Sequence, residues 1–418
     1  MLSSIHLRAR KTTLRPARLS SGHDPSWRPQ RLGLVRIAIA ILLFPLTGLL
    51  NAQAVLAQSS RASQRAALSQ QQMLQKKHNA AALMVLGGRP GTTFFNIAHD
   101  MAAGLTAGPN ESDGLRLIAM DAPGGMENLR DLLLLRGVDL ALISLNALDY
   151  ADVTAAFGPG LPERLAYVTT LFGEEVHVLA GPGAASMKDL AGRKVAVPPD
   201  DGNTEFTIRD LLRRLHIEAE VVKVAAADAI DDVRSGALAA LVLVGGKPLR
   251  AIAALPKDGS LHLLALPSAE GLGGSYSPGS FGADDYPALI AGRQTVETLS
   301  VGAVLVANRT ALSDESSQRI ARFVPAFFGA ISGLSGPHRH PKWNEVNLAA
   351  TLARWSRVPA AQEWLDSALR QQSASVQRDF EEFLRVSDPG SPMPPPAVRK
   401  QMFEEYLRWT RSTTETPR

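Results

Sequence analysis

Two stretches of this chain repeat one pattern, and that repeat limits what it can fold into. The first runs Gly124-Gly125-Met126-Glu127-Asn128-Leu129-Arg130 through an apolar helical spacing into Gly137-Val138-Asp139-Leu140-Ala141-Leu142-Ile143-Ser144. About a hundred positions later Ala229-Ile230-Asp231-Asp232-Val233-Arg234-Ser235-Gly236 leads into Ala237 through Val244 and then Gly245-Gly246. Each reads as a helix, a glycine stop and a buried strand. Two such units predict two α/β lobes with a cleft between them. The Gly124-Gly125 pair also exposes backbone N–H groups at the start of a helix, where donors lack partners and the macrodipole is positive, a setting suited to carboxylate or phosphate. A plain tight turn is the competing reading of that pair. Gly245-Gly246, in the matching place of the second unit, tips the balance toward a ligand loop.

The rest of the chain extends the alternation. Strands are predicted at Ala81–Leu86, Leu115–Met120, Asp139–Ser144, Leu165–Leu171, Val176–Ala180, Lys194–Val197, Val221–Val224, Ala239–Val244, Leu261–Leu266 and Leu299–Ala307. Helices interleave at Met126–Arg136 and after the loop Asp200-Asp201-Gly202-Asn203-Thr204, with Asn203 or Thr204 as cap and Glu205 in the first turn. This rhythm argues for parallel sheets covered by helices on both faces. Beyond residue 307 the pattern is helical, over Ser313–Ser332, Val346–Trp355, Ala360–Gln371 and Val398–Trp409, with a proline-rich break from Pro389 to Pro396. The 418 residues, 45% hydrophobic, suffice for two compact domains.

The formal charge of +4 is unevenly spread. Residues 1–36 carry eight Arg and Lys against Asp24 alone, a net of +7, which leaves the remainder at −3. A slightly acidic body has no electrostatic footprint for nucleic acid. The basic stretch is followed by an apolar run over residues 37–50 that contains Pro45 and falls short of the ~20 residues needed to span a bilayer. Small residues follow at Ala52-Gln53-Ala54 and Val55-Leu56-Ala57. Together these predict a secretory signal cleaved after Ala54 or Ala57, hence a periplasmic protein. The alternative is a retained inner-membrane anchor over residues 37–50. There are no cysteines, which removes disulfides and thiolate chemistry.

Three segments in order, GGMENLRDLLLLRGVDLALIS, FGEEVHVLAGPGAASMKDLAGRKVAVPPDDGNTEFT and GALAALVLVGGKP, resemble the TAXI-type solute receptors that serve TRAP transporters. The similarity runs from Leu83 to about Leu334. The tail HPKWNEVNLAATLARW with PAAQEWLDSAL is similar to a long-tailed subset. The resemblance implies an α/β, two-lobed periplasmic-binding-protein (Venus-flytrap) fold with C-terminal helices. It divides the chain into a signal peptide or anchor (1–57), a linker or loose helix (58–80), lobe I (81–172), lobe II (173–276), and a return to lobe I with a helical extension (277–418). The crossings are expected near residues 172–175 and 274–298. The implied function is capture of a small organic anion, an amino or dicarboxylic acid among the carboxylates considered, for a TRAP-type permease, with no cofactor. A membrane-anchored ligand sensor is the alternative.

Carried over residue by residue, the resemblance implies ligand contacts at Thr92, Thr93 and Phe94, at Gly125 and Met126, at Ser144 and Asn146, at Asn203, Thr204 and Glu205, and at Gly246 and Lys247. All follow strands, where ligands of open α/β sheets sit. The sequence departs from the family's G-G-T-Y-Y loop by an Arg89-Pro90 insertion, and from its G-x-G-T-E loop, which here reads Asp201-Gly202-Asn203-Thr204-Glu205. Lys247 reads as a cation for a carboxylate, against a surface lysine. Glu174 and Glu175 read as a solvated or hinge-flanking pair rather than acid–base machinery, and His177 as a packed core residue. His338 and His340 lack a third ligand for a metal. Trp343, Trp355 and Trp364 read as the core of the C-terminal helices. The sequence carries no G-x-S-x-G, H-E-x-x-H or P-loop motif, so a binding protein is expected rather than an enzyme.

Overall fold

A computed structural model describes residues 58–106, 115–309, 314–387 and 394–414. The leader and its expected cleavage sites lie outside these residues. The chain divides into two compact units, 1–74 and 75–418. In the first, residues 58–74 are helical and exposed, part of a helix α1 over 58–81 where a linker or loose helix was expected. Among the described residues no helix is long and apolar enough to cross a membrane.

The second unit is built on ten strands: β1 (Ala82–Leu86), β2 (Arg116–Met120), β3 (Leu140–Ser144), β4 (Leu165–Ala180), β5 (Lys194–Val197), β6 (Glu220–Lys223), β7 (Ala240–Gly245), β8 (His262–Leu263), β9 (Tyr276–Gly282) and β10 (Thr295–Asn308). Its helices are α2 (Thr93–Thr106), α3 (Gly125–Leu134), α4 (Leu145–Val153), α5 (Leu161–Arg164), α6 (Gly202–Arg214), α7 (Ala226–Ser235), α8 (Arg250–Ala253), α9 (Asp314–Leu334), α10 (Pro359–Ser387) and α11 (Pro396–Thr414). The strand order is β2-β1-β3-β10-β4-β7-β5-β6, with β8 on β4 and β9 on β10. Strand β1 pairs in parallel with β2 and β3, and β5 with β6 and β7.

The apolar runs form strands because both faces are covered. In β3, Leu140 and Leu142 face one core while Ala141 and Ile143 face another. In β7, Ala240, Val242 and Val244 face one core and Leu241 and Leu243 the opposite one. Each half of the unit is therefore a three-layer α/β/α sandwich with two cores. In the first half α2 and α9 cover one face, and α3 and α4 the other.

The halves are joined by strands. The two strands expected around Gly173 are one 16-residue strand, because β10 pairs along β4 through the crossing, with Gly302 opposite Gly173 and Val301 opposite Glu174. Strand β10 pairs with β3 over Ala303–Ala307 and with β9 over Thr295–Val301. Register shifts fall between Gly302 and Val304 and between Leu305 and Val306, the first of them at the return crossing. The chain does not return to the first half at residue 277, where the boundary is expected. Instead Phe281, Tyr286, Ile290 and Leu299 pack in cores of the second half. Hydrogen bonding therefore runs through both halves as one continuous sheet.

The C-terminal segment packs against the first half. Trp343 enters its core beside Phe327, Trp364 packs edge-on against Phe328, and Trp355 is buried in the opposite core. The three indoles thus fasten the tail to the sheet rather than form a separate core. Residues 346–355 do not form the expected helix. Arg357 captures the carbonyls of Leu348 and Ala350, at 2.9 and 2.6 Å, and stacks over Tyr167, which leaves those acceptors unavailable to helical donors.

Candidate functional site

The two halves meet where the starts of α3 and α6 converge. Asp201 caps α6, accepting from the Thr204 backbone N–H at 3.1 Å and from its Oγ1 at 2.8 Å. Asn128 fixes the Gly124 turn: Oδ1 accepts from Gly124 N at 2.9 Å, and Nδ2 donates to Gly87 and Leu142 carbonyls. Gly202 N then donates to Pro123 O at 2.8 Å. A Cβ on Gly125 would stand 2.7 Å from Gly202 O, so these positions tolerate only glycine. The two positive helix ends touch. The two loops expected to share an anion, Gly125-Met126 and Asn203-Thr204, pack directly against each other here.

Further bonds cross the same junction. Gly246 N donates to Thr93 Oγ1 at 2.8 Å. Asn146 Nδ2 donates to Thr207 Oγ1 and to the Tyr276 hydroxyl, both at 3.0 Å, and that hydroxyl donates to Asp210 at 2.7 Å. Burial and the Asp210 charge raise the Tyr276 pKa, which keeps the proton available for that bond. Ser275 Oγ donates to Asp149 at 2.6 Å. Ser144 Oγ and Asn203 Oδ1 are buried at this junction with no hydrogen-bond partner. Such orphaned polar atoms are uncommon in a folded protein and mark places for a water or a ligand.

The paired acids of β4 lie in the crossing. Glu174 and Glu175 are 2% and 6% exposed, so they flank the hinge but are not solvated. Glu174 accepts from Asn203 Nδ2 at 2.7 Å. Burial, then the neighbouring Asp201 charge, push its pKa well above the usual carboxylate range despite that bond. Glu175 is paired with Lys342, whose Nζ lies 2.6 Å from Glu175 and 2.7 Å from Glu345. Lys342 is 2% exposed, and its stem occupies the space a side chain at Gly246 would fill. The segment that carries it is anchored by Asp100, which accepts from His340 N, Arg339 and Trp343 Nε1, each at 3.0 Å. Lys342 escaped the sequence reading; the signal was the acid pair in a buried strand, which demands a buried cation.

Several residues carried over from the resemblance sit elsewhere. Lys247 Nζ bonds Ser280 O at 2.7 Å and Asp285 at 3.0 Å within the second half, so it is not a free cation of the junction; only its backbone N reaches Glu175. Phe94 is a core residue packed edge-on against Phe172. Met126 packs against the core beneath α3 and α4. Thr204 Oγ1 ties Asp201 to Val244 N inside the second half. Glu205 pairs outward with Arg209 and Lys223. Thr92 does lie at the junction, where it lines the cavity, closes the first loop through Arg89 O and caps α2 through Phe95 N. His177 is a packed core residue, stacked on Phe281 and bonded to Tyr286, and burial lowers its pKa to about 3. Among the described residues no group of three or more His, Asp or Glu is placed to hold a metal.

One cavity opens at this junction. It encloses about 240 Å³ between the Arg89–Thr92 loop of the first half and Pro198, Pro199, Asp201, Val244 and Leu249 of the second. Arg89 lines it, and its Nε is buried without a partner.

Two α/β/α halves, joined by shared strands and enclosing a polar junction at the carboxyl ends of their sheets, define the two-lobed periplasmic-binding-protein architecture. The chain belongs to the NMT1-like family, whose model matches residues 85–326. Comparison with the curated proteins gives no match. Among solved structures the chain is similar to an amino-acid ABC transporter substrate-binding protein from Streptococcus pneumoniae bound to L-arginine, at 14% identity over 64% of this chain and 92% of that one, with a TM-score of 0.36. It is also similar to MatC from Rhodopseudomonas palustris with bound malate, at 14% identity over 63% and 86%, with a TM-score of 0.38. A third is the alkanesulfonate-binding protein SsuA from Xanthomonas axonopodis pv. citri bound to MOPS, at 17% identity over 61% and 78%, with a TM-score of 0.35.

Proposed function

We propose that this protein is an extracytoplasmic receptor that closes on a small carboxylated solute and delivers it to a membrane permease of the TRAP type. The observation that carries the reading is the junction itself. Two separately cored halves are latched by hydrogen bonds between them: Gly246 N and Gly202 N of the second donate to Thr93 Oγ1 and Pro123 O of the first, and Asn146 of the first donates to Thr207 and Tyr276 of the second. A cavity with walls from both halves opens beside the latch, lined by Arg89, whose Nε is buried without a partner. A ligand that touches both walls binds the closed form better than the open one and shifts the population toward it. A permease that docks the closed form then reads occupancy as shape. The three TAXI-like segments favour the TRAP type of partner over other permeases.

The test is native mass spectrometry of the exported protein, followed by calorimetry against organic acids, amino acids and sugars. A co-purified or titrated carboxylate supports the reading. Binding of neutral sugars alone, or of nothing in the panel, overturns it.

A further inference from the structure

Arg89 is the one cation of the junction cavity with a buried, unsatisfied donor. The two lysines near the junction are committed, Lys342 to Glu175 and Glu345, and Lys247 to Asp285. Arg89 makes no ion pair or side-chain hydrogen bond with any described residue, and its Nε has no partner although the atom is buried. Asp201, the acid in the cavity wall, does not serve it, because both Asp201 oxygens are taken by Thr204. A guanidinium cannot shed its charge, so the buried Nε–H without an acceptor is costly until an anion completes it, while the rest of the half-buried fork stays open to the cavity.

The loop that carries it is built to hold still. Arg89 O accepts from both the backbone N and the Oγ1 of Thr92, at 3.0 and 2.8 Å, and Pro90 fixes one dihedral between them. The guanidinium therefore hangs from a closed turn at the entrance to α2, on the wall opposite Pro198, Pro199 and Leu249. Those three present apolar surface. Arg250 also borders the cavity but is exposed, where solvent screens its charge. The volume of about 240 Å³ is below the roughly 300–1,000 Å³ of drug-sized sites, which suits a small metabolite.

We infer that Arg89 is the carboxylate-binding and specificity-determining residue of this receptor, and that the solute is a small monocarboxylate whose apolar body lies along Pro198, Pro199 and Leu249. This rests on the receptor reading above and assigns the charged contact within it. A second carboxylate on the same small solute would face apolar wall or the buried Asp201, so dicarboxylates of equal length bind less well.

The experiment is calorimetry of the protein, its Arg89→Gln variant and its Arg89→Lys variant. The titrants are short-chain monocarboxylates, their primary amides and the matching dicarboxylates. Loss of a charge-assisted bond predicts that Arg89→Gln weakens monocarboxylate binding about ten- to a hundredfold and leaves the amides unchanged. Arg89→Lys recovers part of the affinity, since it keeps the charge and loses the planar fork. If Arg89→Gln fails to fold, the lysine variant carries the test, and unchanged monocarboxylate affinity there overturns the assignment. Monocarboxylates that bind all three proteins within twofold refute the role of Arg89 and leave the receptor reading intact. Preference for dicarboxylates refutes the proposed solute class. Absence of any carboxylate binding to the unmodified protein defeats the receptor reading and this inference with it.

Discussion

Replacing Lys342 by methionine keeps the stem that packs against Gly246 and deletes only the ammonium group. Two ion pairs go with it, and they are unequal. The Glu345 carboxylate is 45% exposed and recovers hydration when released, so its share is at most about 1 kcal/mol. Glu175 is 7% exposed on its side chain and is left with one backbone donor, Lys247 N at 3.0 Å, and with Glu174 as its neighbour in β4. Stranding a buried charge in this way costs about 3–5 kcal/mol. A chain of this size loses about 2 °C of melting temperature per kcal/mol, so the drop should be about 6–10 °C. Urea denaturation followed by tryptophan fluorescence reports it directly, since Trp343 adjoins the substituted residue and is itself buried. Adding Glu175→Gln to Lys342→Met should return a substantial part of the loss, because an amide in place of the stranded carboxylate removes the uncompensated charge. A loss below about 1 kcal/mol in the single variant, or a double variant as unstable as the single one, would refute the argument that this pair is held against its desolvation cost.

Glu174 yields a pH signature. Its folded pKa is raised above the ordinary value of 4.5 by burial and by Asp201, so the folded state holds this proton to higher pH than the unfolded state, and stability falls as pH rises through that interval. Glu174→Gln should flatten that slope and exceed the unmodified protein in melting temperature near neutral pH; parallel curves would contradict the assignment. His177 acts in the opposite direction: with its folded pKa lowered from 6.5 to about 3, stability should decline as pH falls between those values, by up to about 1.4 kcal/mol per unit, and His177→Gln should lessen the decline in acid denaturation curves. A Cβ at Gly202 would stand 2.8 Å from Glu127 Oε2 and 3.1 Å from Gly124 O, so Gly202→Ala should wedge the α3 and α6 ends apart. Overpacking of about 1–3 kcal/mol, borne only by the closed form, predicts roughly five- to a hundredfold weaker ligand affinity in calorimetry with little change in urea midpoint.

The frame was legible in the sequence because two-sided burial leaves an unbroken apolar signature. Leu140–Ser144 and Ala240–Gly245 are fully buried strands whose alternate residues serve different cores, and each reads as a continuous run flanked by glycine. The fusion of two strands at Gly173 was not legible. Gly173, Glu174 and Glu175 look like a break, and what carries the strand through them is pairing with Ser300–Gly302, more than a hundred residues away. The helix expected at residues 346–355 failed for a similar reason, since the guanidinium that diverts its carbonyls belongs to Arg357, outside the periodic segment. At the junction, the loops that meet can be read from the glycine turns, but the partner that each side chain takes cannot. Lys247 follows its glycine pair as a binding lysine should, yet Asp285 claims it. Arg89 looked like an insertion, and only the cavity wall shows it without a partner. Partnership among charges depends on residues distant in sequence, and local spacing does not encode it.

The two long strands have a mechanical consequence. Because β4 and β10 pass through both halves while paired to each other, opening the cleft resembles the flexing of a leaf spring more than two bodies swinging on slack tethers. The ladder is irregular at two register shifts, between Gly302 and Val304 and between Leu305 and Val306, and these are where flexing would be taken up. A spring of this kind stores energy in one direction and returns it in the other. The bonds at Thr93, Asn146 and Gly202 hold against that recoil, and in the proposed receptor the backbone itself would help drive solute release once they are loosened.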